Sequence, residues 1–252
     1  PLWLNYHMNK KCNSKMIWLG DSALSLPRLF KNNNYSNKKN VIPFYKFIKV
    51  DQHIVWNKNF ELFLKKNFNL SQSIYNYQKP IIYKPLKKYK KYKKNLFIFD
   101  NNPKFKGFNG TVNNYVSLEN VNKFVNDICD ELNLSNNNTF KVFIKRKKYL
   151  TKVHETPLYL KYIDNLKKIS IKFKNIKLID EHDDYLKYLN SSKICICFPF
   201  SSSSNVSNFY NIKTFFYDPT GNLVNNFYNK KLPLISSRKK LKNILSQYFN
   251  KK

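Results

Sequence analysis

The pattern of apolar and polar positions changes character near residue 95. Beyond that point, short runs that are apolar along most of their length alternate with stretches whose apolar residues recur every three or four positions. The runs are NLFIFD (95–100), FKVFIK (140–145), residues 176–179, ICICFPF (194–200) and KTFFYD (213–218). Unbroken apolar runs of this length are strands buried on both faces. Between them, Val121, Phe124, Val125, Ile128 and Leu132 share one helical face, and Ser117 stands where it can cap a helix over 118–132. Pro157 opens a second helix with apolar positions at Leu160, Ile163 and Leu166. Asp183 and Asp184 stand at the positive end of a short helix running through Leu189, a capping place rather than a metal site. Residues 239–249 close the chain as a helix. This alternation predicts an α/β fold, a parallel sheet flanked by helices, whose ligands bind beyond the carboxyl ends of the strands.

Residues 1–83 are less regular. MIWLG (16–20) reads as a strand entering a loop, followed by Asp21, Ser22 and a helical stretch as far as Pro27. Residues 32–40 form a polar loop. Residues 41–50 are extended, although Pro43 argues against a central strand. Phe60, Phe63, Leu64 and Phe68 have helical spacing, and residues 81–83 form a short strand. Residues 84–94, KPLKKYKKYKK from Lys84 to Lys94, carry seven lysines and no core-forming pattern. They predict an exposed linker, so the chain divides into an N-terminal lobe, 1–93, and a second domain, 94–252.

Composition changes this picture in one respect. The chain has 252 residues, 46 Lys+Arg against 15 Asp+Glu, and a net charge of +31. Such a balance suggests a nucleic-acid partner. Arginine, however, occurs only at Arg28, Arg146 and Arg238, whereas Lys, Asn, Ile, Phe and Tyr are all abundant. That is the imprint of AT-rich codons, and it spares the residue best suited to bidentate phosphate and guanine contacts. Codon composition therefore accounts for the charge better than a nucleic-acid footprint does. The lysine run of 84–94 can also touch anionic lipid headgroups, at about 1 kcal/mol per lysine near the surface. Cys12, Cys129, Cys195 and Cys197 show no CxxC or Cys/His ligand spacing. Cys195 and Cys197 alternate within a strand and share one face as small buried side chains. A cytoplasmic location is expected from this cysteine usage. No apolar run approaches the roughly 18 residues that span a bilayer. No signal peptide is visible, and Pro1 stands where an initiator Met is expected, so a processed chain or a fragment is anticipated.

Candidate chemistry gathers at the strand ends. After the second strand come Lys145 and Arg146, and then His154 before a helix N-terminus, a combination suited to pyrophosphate. His154 is a candidate acid toward a leaving phosphate. After the fourth strand, Ser201, Ser202, Ser203 and Ser204 offer hydroxyl and backbone donors to phosphate oxygens. After the fifth, Asp218, Thr220 and Gly221 form a turn whose loop is a candidate ligand contact. Asp21 and Asp100 are the candidate bases. No GxSxG elbow, Walker A loop or GxGxxG fingerprint occurs.

Pro199-Phe200-Ser201-Ser202, LFIFDNNP (96–103), FIKRK (143–147) and FYDPTG (216–221) appear in an order that resembles the bacterial polysaccharide-biosynthesis family named for a Pro-Phe-Thr-Ser motif, with Ser201 in place of Thr. A looser similarity is to GT-B sialyltransferases, which carry a His-Pro and then a Ser-Ser motif. Here Glu155 and Thr156 separate His154 from Pro157. The resemblance implies a GT-B-like fold, with a C-terminal Rossmann-like domain and a partial N-terminal α/β lobe. It implies a glycosyltransferase-like role in surface-polysaccharide synthesis, with a nucleotide-sugar donor as substrate and a glycan or lipid-linked acceptor. No cofactor and no metal are called for, and the location is the cytoplasm or the inner membrane face. Two alternatives stay open: a non-catalytic sugar-nucleotide binder on the same scaffold, and a basic nucleic-acid-binding protein of ribosomal or organellar type.

Overall fold

The computed structural model of the chain describes residues 15–17, 51–55, 58, 61, 64–65, 74–77, 95–104, 115–133, 140–146, 156–180, 182–199, 201, 203–223 and 233–249. They build two parallel sheets.

The smaller sheet holds β1 (Lys15–Ile17), β2 (Gln52–Val55) and β3 (Ile74–Tyr77) in the order β1-β2-β3. Its register aligns Met16, His53 and Tyr75. The central strand carries the buried positions, His53 and Val55, while Ile17, Ile74 and Tyr77 on the flanking strands are exposed. The first expected strand is thus present, beginning one residue earlier. The helical spacing near residue 64 is also met: Lys58, Glu61, Leu64 and Lys65 are helical, and Leu64 is fully buried. The strands β2 and β3 were not anticipated. QHIV and IYNY are short and half polar, so neither gives an unbroken apolar run. The expected helical stretch after Asp21 and the strands at 41–50 and 81–83 lie outside the described residues, as does the linker 84–94.

The larger sheet begins at Asn95. In chain order it comprises β4 (Asn95–Phe99), α1 (Leu118–Asn133), β5 (Val142–Lys145), α2 (Pro157–Lys172), β6 (Ile176–Leu178), α3 (Tyr185–Asn190), β7 (Ser192–Cys197), α4 (Ser203–Phe209), β8 (Lys213–Tyr217), β9 (Leu234–Ile235) and α5 (Arg238–Phe249). The strand order is β6-β5-β4-β7-β8-β9, with every pair parallel. Because side chains alternate across a strand, each strand feeds two cores. Leu96, Ile98, Val142, Ile144, Ile194, Ile196 and Tyr217 pack with α1, α2 and α5. Phe97, Phe99, Phe143, Cys195, Cys197 and Phe216 pack with α3 and the end of α4 on the opposite side. Cys195 and Cys197 therefore do share a face, with their Sγ atoms 3.7 Å apart as buried free thiols.

Local signals set the helix ends. Ser117 Oγ accepts the Asn120 amide at the start of α1. Thr156 caps α2 with Pro157 in its first turn, and Asp184 caps α3 by accepting the Leu186 amide. Asp183 instead pairs with Lys177 and accepts the Tyr188 hydroxyl, and these partners hold its carboxyl below the usual range. Leu160 departs from expectation. It is 43% exposed, because the buried stripe of α2 runs through Tyr159, Tyr162, Ile163, Leu166 and Ile169. The two-residue β9 was also unforeseen. It is defined by pairing with β8, where the Phe216 amide donates to the Pro233 carbonyl.

Arg238 at the head of α5 pairs with Asp127 and Glu131 of α1. Being half-exposed, it contributes modestly. The apolar layer dominates, at about 1.5–3 kcal/mol for each fully buried large side chain.

Candidate functional site

The strand order creates a break at β4 and β7. The chain leaves β4 toward α1 on one face and leaves β7 toward α4 on the other. In open sheets of this order, ligands bind over the carboxyl ends of the central strands at this break. Around it stand the segments after β4, β5, β7 and β8.

The β4 and β5 ends are joined by a buried polar pair. Asp100 is 1% exposed, and its Oδ2 accepts the Tyr162 hydroxyl of α2 at 2.6 Å. Burial and then the Asp100 charge push the Tyr162 hydroxyl well above its ordinary range, while the nearby Arg146 guanidinium pulls the other way. Tyr162 thus stays a neutral donor to a buried carboxylate, a strong form of hydrogen bond. Arg146 and Lys145 are half-buried at the rim. Alternation sends them to opposite sides: Arg146 lies near Tyr162, whereas the Lys145 ammonium sits 4.9 Å over the Tyr185 ring of α3. Cations are therefore presented on both sides of the β5 end.

The segment after β7 is a hydroxyl-rich turn. The Ser201 amide donates to the Phe198 carbonyl, and the Ser204 amide donates to the Ser201 carbonyl. Ser204 and Ser201 are buried, and the Ser204 hydroxyl is spent on the Ser201 carbonyl at 2.8 Å. Ser201 Oγ lies 3.0 Å from Ser203 Oγ and accepts the Ser203 amide. Ser203 is half-buried, and its hydroxyl accepts from Ser201 Oγ. A second chain, Thr214 to Ser207 to the Ser204 carbonyl, ties α4 to β8.

The segment after β8 is held from within. Asp218 is fully buried. Its Oδ1 accepts the Tyr115 hydroxyl at 2.9 Å and the Thr220 amide and hydroxyl at 2.9 and 2.7 Å, and its Oδ2 accepts the Leu223 amide at 2.8 Å. Tyr115 precedes α1, so this carboxylate pins the β4–α1 connection to the β8 loop. Burial, followed by the Asp218 charge, raises the Tyr115 hydroxyl well above its usual range. Gly221 has φ +69°, which an L side chain adopts only under strain, and a Cβ there would approach the Ser236 carbonyl to 3.1 Å.

Of the residues singled out from sequence, Asp100, Lys145, Arg146, Ser201, Ser203, Ser204, Asp218, Thr220 and Gly221 are brought to this edge of the sheet. Asp100, Asp218, Thr220 and Ser204 turn their polar groups inward as supports. Lys145, Arg146 and Ser203 remain at the rim. His154, Asp21 and Ser202 lie outside the described residues. Sequence reasoning missed Tyr115 and Tyr162. Tyr115 lay just ahead of a predicted helix and Tyr162 within one, and a lone tyrosine in either place carries no local sign of a distant carboxylate. Among the described residues no group of three or more His, Cys, Asp or Glu side chains is arranged to hold a metal ion.

A doubly wound parallel sheet with a second parallel sheet before it is a GT-B-like α/β arrangement, and solved structures share it. The apo structure of OtsA aligns at TM-score 0.55 and 11% identity, over 100% of this chain and 63% of that one. A structure described as trehalose-6-phosphate from E. coli bound with UDP-2-fluoro glucose aligns at 0.53 and 12%, over 100% and 64%. Sucrose-phosphate synthase from Thermosynechococcus elongatus aligns at 0.52 and 7%, over 98% and 61%. The chain thus spans less than two thirds of the length of each. At these identities the likeness establishes the fold. No curated protein sequence matches the chain. The chain matches the profile of the polysaccharide biosynthesis PFTS motif proteins over residues 1–245, and it belongs to that family.

Proposed function

We propose that the crevice over β4, β5, β7 and β8 binds a nucleotide-sugar and that the protein transfers its sugar in polysaccharide assembly. The observation carrying this reading is the parallel order β6-β5-β4-β7-β8-β9, which gathers Arg146, Lys145 and the serine turn around one break in the sheet. The family is one of polysaccharide biosynthesis, and a protein of similar fold has been solved with UDP-2-fluoro glucose. Both support the donor class.

In this reading Arg146 and Lys145 neutralise the donor phosphates, and Ser203 with the backbone of the serine turn supplies further donors. An acceptor hydroxyl attacks the anomeric carbon as the bond from that carbon to the phosphate oxygen breaks. The sugar passes to the acceptor, and the nucleotide leaves carrying the developing charge. Fixed cations and N–H groups aimed at that phosphate lower the barrier. His154 supplies a proton to the leaving phosphate, and Asp21 takes the acceptor's proton. Asp100, sealed beneath Tyr162, is better suited to support Arg146 than to act as base. The N-terminal lobe, 1–93, faces the acceptor, and residues 84–94 link the lobes and touch anionic headgroups where the acceptor is lipid-linked. No helix among the described residues is long and apolar enough to cross a membrane, which fits peripheral contact.

The test is thermal stability with UDP, GDP and CMP, and with an RNA control. A rise with one nucleotide that is lost in Arg146→Ala and in a Ser201→Ala/Ser202→Ala double variant supports the reading. Stabilisation without sugar release from the matching donor would leave a binder in place of a transferase. Stabilisation by RNA alone would overturn both.

A further inference from the structure

The helix α2 packs its inner stripe, Tyr159, Tyr162, Ile163, Leu166 and Ile169, into the core it shares with the sheet and α1. Its outer face turns to water without being uniformly polar. Leu160 is 43% exposed and Ile171 80%. The step from Leu160 to Ile171 is about three turns at 3.6 residues per turn, so the two side chains fall on one line along the helix, about 16 Å apart. Lys167 stands on one flank of that line, and Lys161, Lys168 and Lys172 stand on the other, all of them exposed. Asp164 is the one acid of the helix.

The neighbouring helices leave this side of the domain cationic. Between α2 and α5 lies α1, in contact with both. Its Asp127, Asp130 and Glu131 are taken up within the helical layer, in ion pairs with Lys123, Lys172 and Arg238. That leaves Glu119 and Asp164 as the acids of the three helices outside such pairs. Against them α5 exposes Lys239, Lys240 and Lys242 in addition to the lysines of α2.

We propose that the outer face of α2 docks on an anionic lipid surface, with Leu160 and Ile171 entering the headgroup layer and the lysines beside them meeting lipid phosphates. A single exposed aliphatic side chain is ordinary on a soluble protein. Two in line are different when lysines flank them, because lysine stems lie along apolar surface while their ammoniums reach the headgroups, as in a helix resting in a membrane interface. Composition sets how many lysines and isoleucines the chain carries, not their alignment on one face. A polynucleotide suits this face less well. Its contacts draw on arginine forks and aromatic stacking, whereas Arg238 is engaged with the acids of α1 and the tyrosines of α2 are buried. Leu160 also lies two residues before Tyr162, the donor to Asp100. A chain docked through α2 therefore holds the carboxyl end of the sheet beside the headgroups. This contact is separate from the lysine run of 84–94 and does not depend on the donor reading.

The experiment is cosedimentation at moderate salt with vesicles of phosphatidylcholine alone and of phosphatidylcholine mixed with phosphatidylglycerol. Wild type is compared with Leu160→Ser/Ile171→Ser and with Lys167→Gln/Lys168→Gln. A charge-matched control, Lys187→Gln/Lys213→Gln, removes two exposed lysines from α3 and from the start of β8. Wild type is expected to bind the mixed vesicles and not the neutral ones. The aliphatic pair should weaken that binding about fivefold and the α2 lysine pair about tenfold, with the control within about twofold of wild type. All variants should melt with wild type, because each change is on the surface. An α2 variant that binds like wild type, or a control that loses as much as the α2 lysine pair, overturns the proposal. A wild type that ignores both vesicles and binds single-stranded RNA overturns it as well, and gives the basic face to nucleic acid. The nucleotide response of wild type is measured apart from these outcomes, so the donor reading stands or falls on its own.

Discussion

The two ends of the six-stranded sheet are built on different terms. At the carboxyl end, buried carboxylates sit under tyrosine hydroxyls: Asp100 under Tyr162, Asp218 under Tyr115, and Asp127 of α1 accepting from Tyr217, the last residue of β8. At the amino end, the strands start from groups that remain in or near water, such as the exposed Lys141 and Lys213. Placing a carboxylate out of water costs free energy unless its oxygens are bonded. That cost is accepted at the end where loops must hold one shape, the end at which the ligand is proposed to bind.

Substitutions can test that contrast. The largest loss is expected from Asp218→Ala, which strands the Tyr115 hydroxyl and the Thr220 and Leu223 amides together. A fall of about 3 kcal/mol or more in urea-unfolding stability is expected. Tyr162→Phe leaves the Asp100 carboxylate short of its donor and should cost about 2 kcal/mol while also weakening nucleotide binding through Arg146. Tyr115→Phe removes one of several donors to Asp218, so about 1 kcal/mol is expected by the same measurement. At the other end, Lys141→Ala should stay within about 0.5 kcal/mol and leave nucleotide binding untouched. A large effect there would erase the distinction between the ends.

The smaller sheet offers a further contrast, because its buried polar groups titrate. Burial holds the His53 imidazole down to about 4, and the ring stacks on Tyr75. As pH falls below about 6.5, the unfolded chain takes up this proton before the folded one does. Stability from this site is therefore full above about pH 6.5 and declines toward pH 4. Glu61 acts in the same sense at lower pH. Burial opposes its ionisation, but Lys58 and Lys65 beside it hold its carboxyl below the usual range, so its contribution fades as pH drops through that lowered value. His53→Phe should keep the stacking and flatten the melting-temperature profile between pH 6.5 and 4. A slope unchanged by that variant would remove His53 from the account.

Much of the large sheet was legible because β4, β5, β7 and β8 are buried on both faces and so read as unbroken apolar runs. Ser117, Pro157 and Asp184 announced their helices for local reasons of capping and fixed φ. The strands β2, β3 and β9 were not legible. They are short and defined by their neighbours; β2 and β3 are also half polar, and β9 has only two residues. The site was half legible. Strand-end acids, cations and hydroxyls could be named, but not their direction. Asp100 meets a tyrosine 62 positions away and Asp218 one 103 positions away. Such pairings follow from the order of strands, which no local pattern encodes.

The central claim is that the carboxyl-end crevice takes a nucleotide-sugar, and an equilibrium titration tests it most directly. Wild type and Arg146→Ala would be titrated with UDP-glucose, GDP-mannose, CMP and a single-stranded RNA at low and moderate salt. The account predicts saturable binding of one nucleotide class, at least tenfold weaker in Arg146→Ala and only mildly salt-dependent. Binding of RNA alone, falling steeply with salt and indifferent to Arg146, would contradict it and make the lysine-rich surface the seat of function.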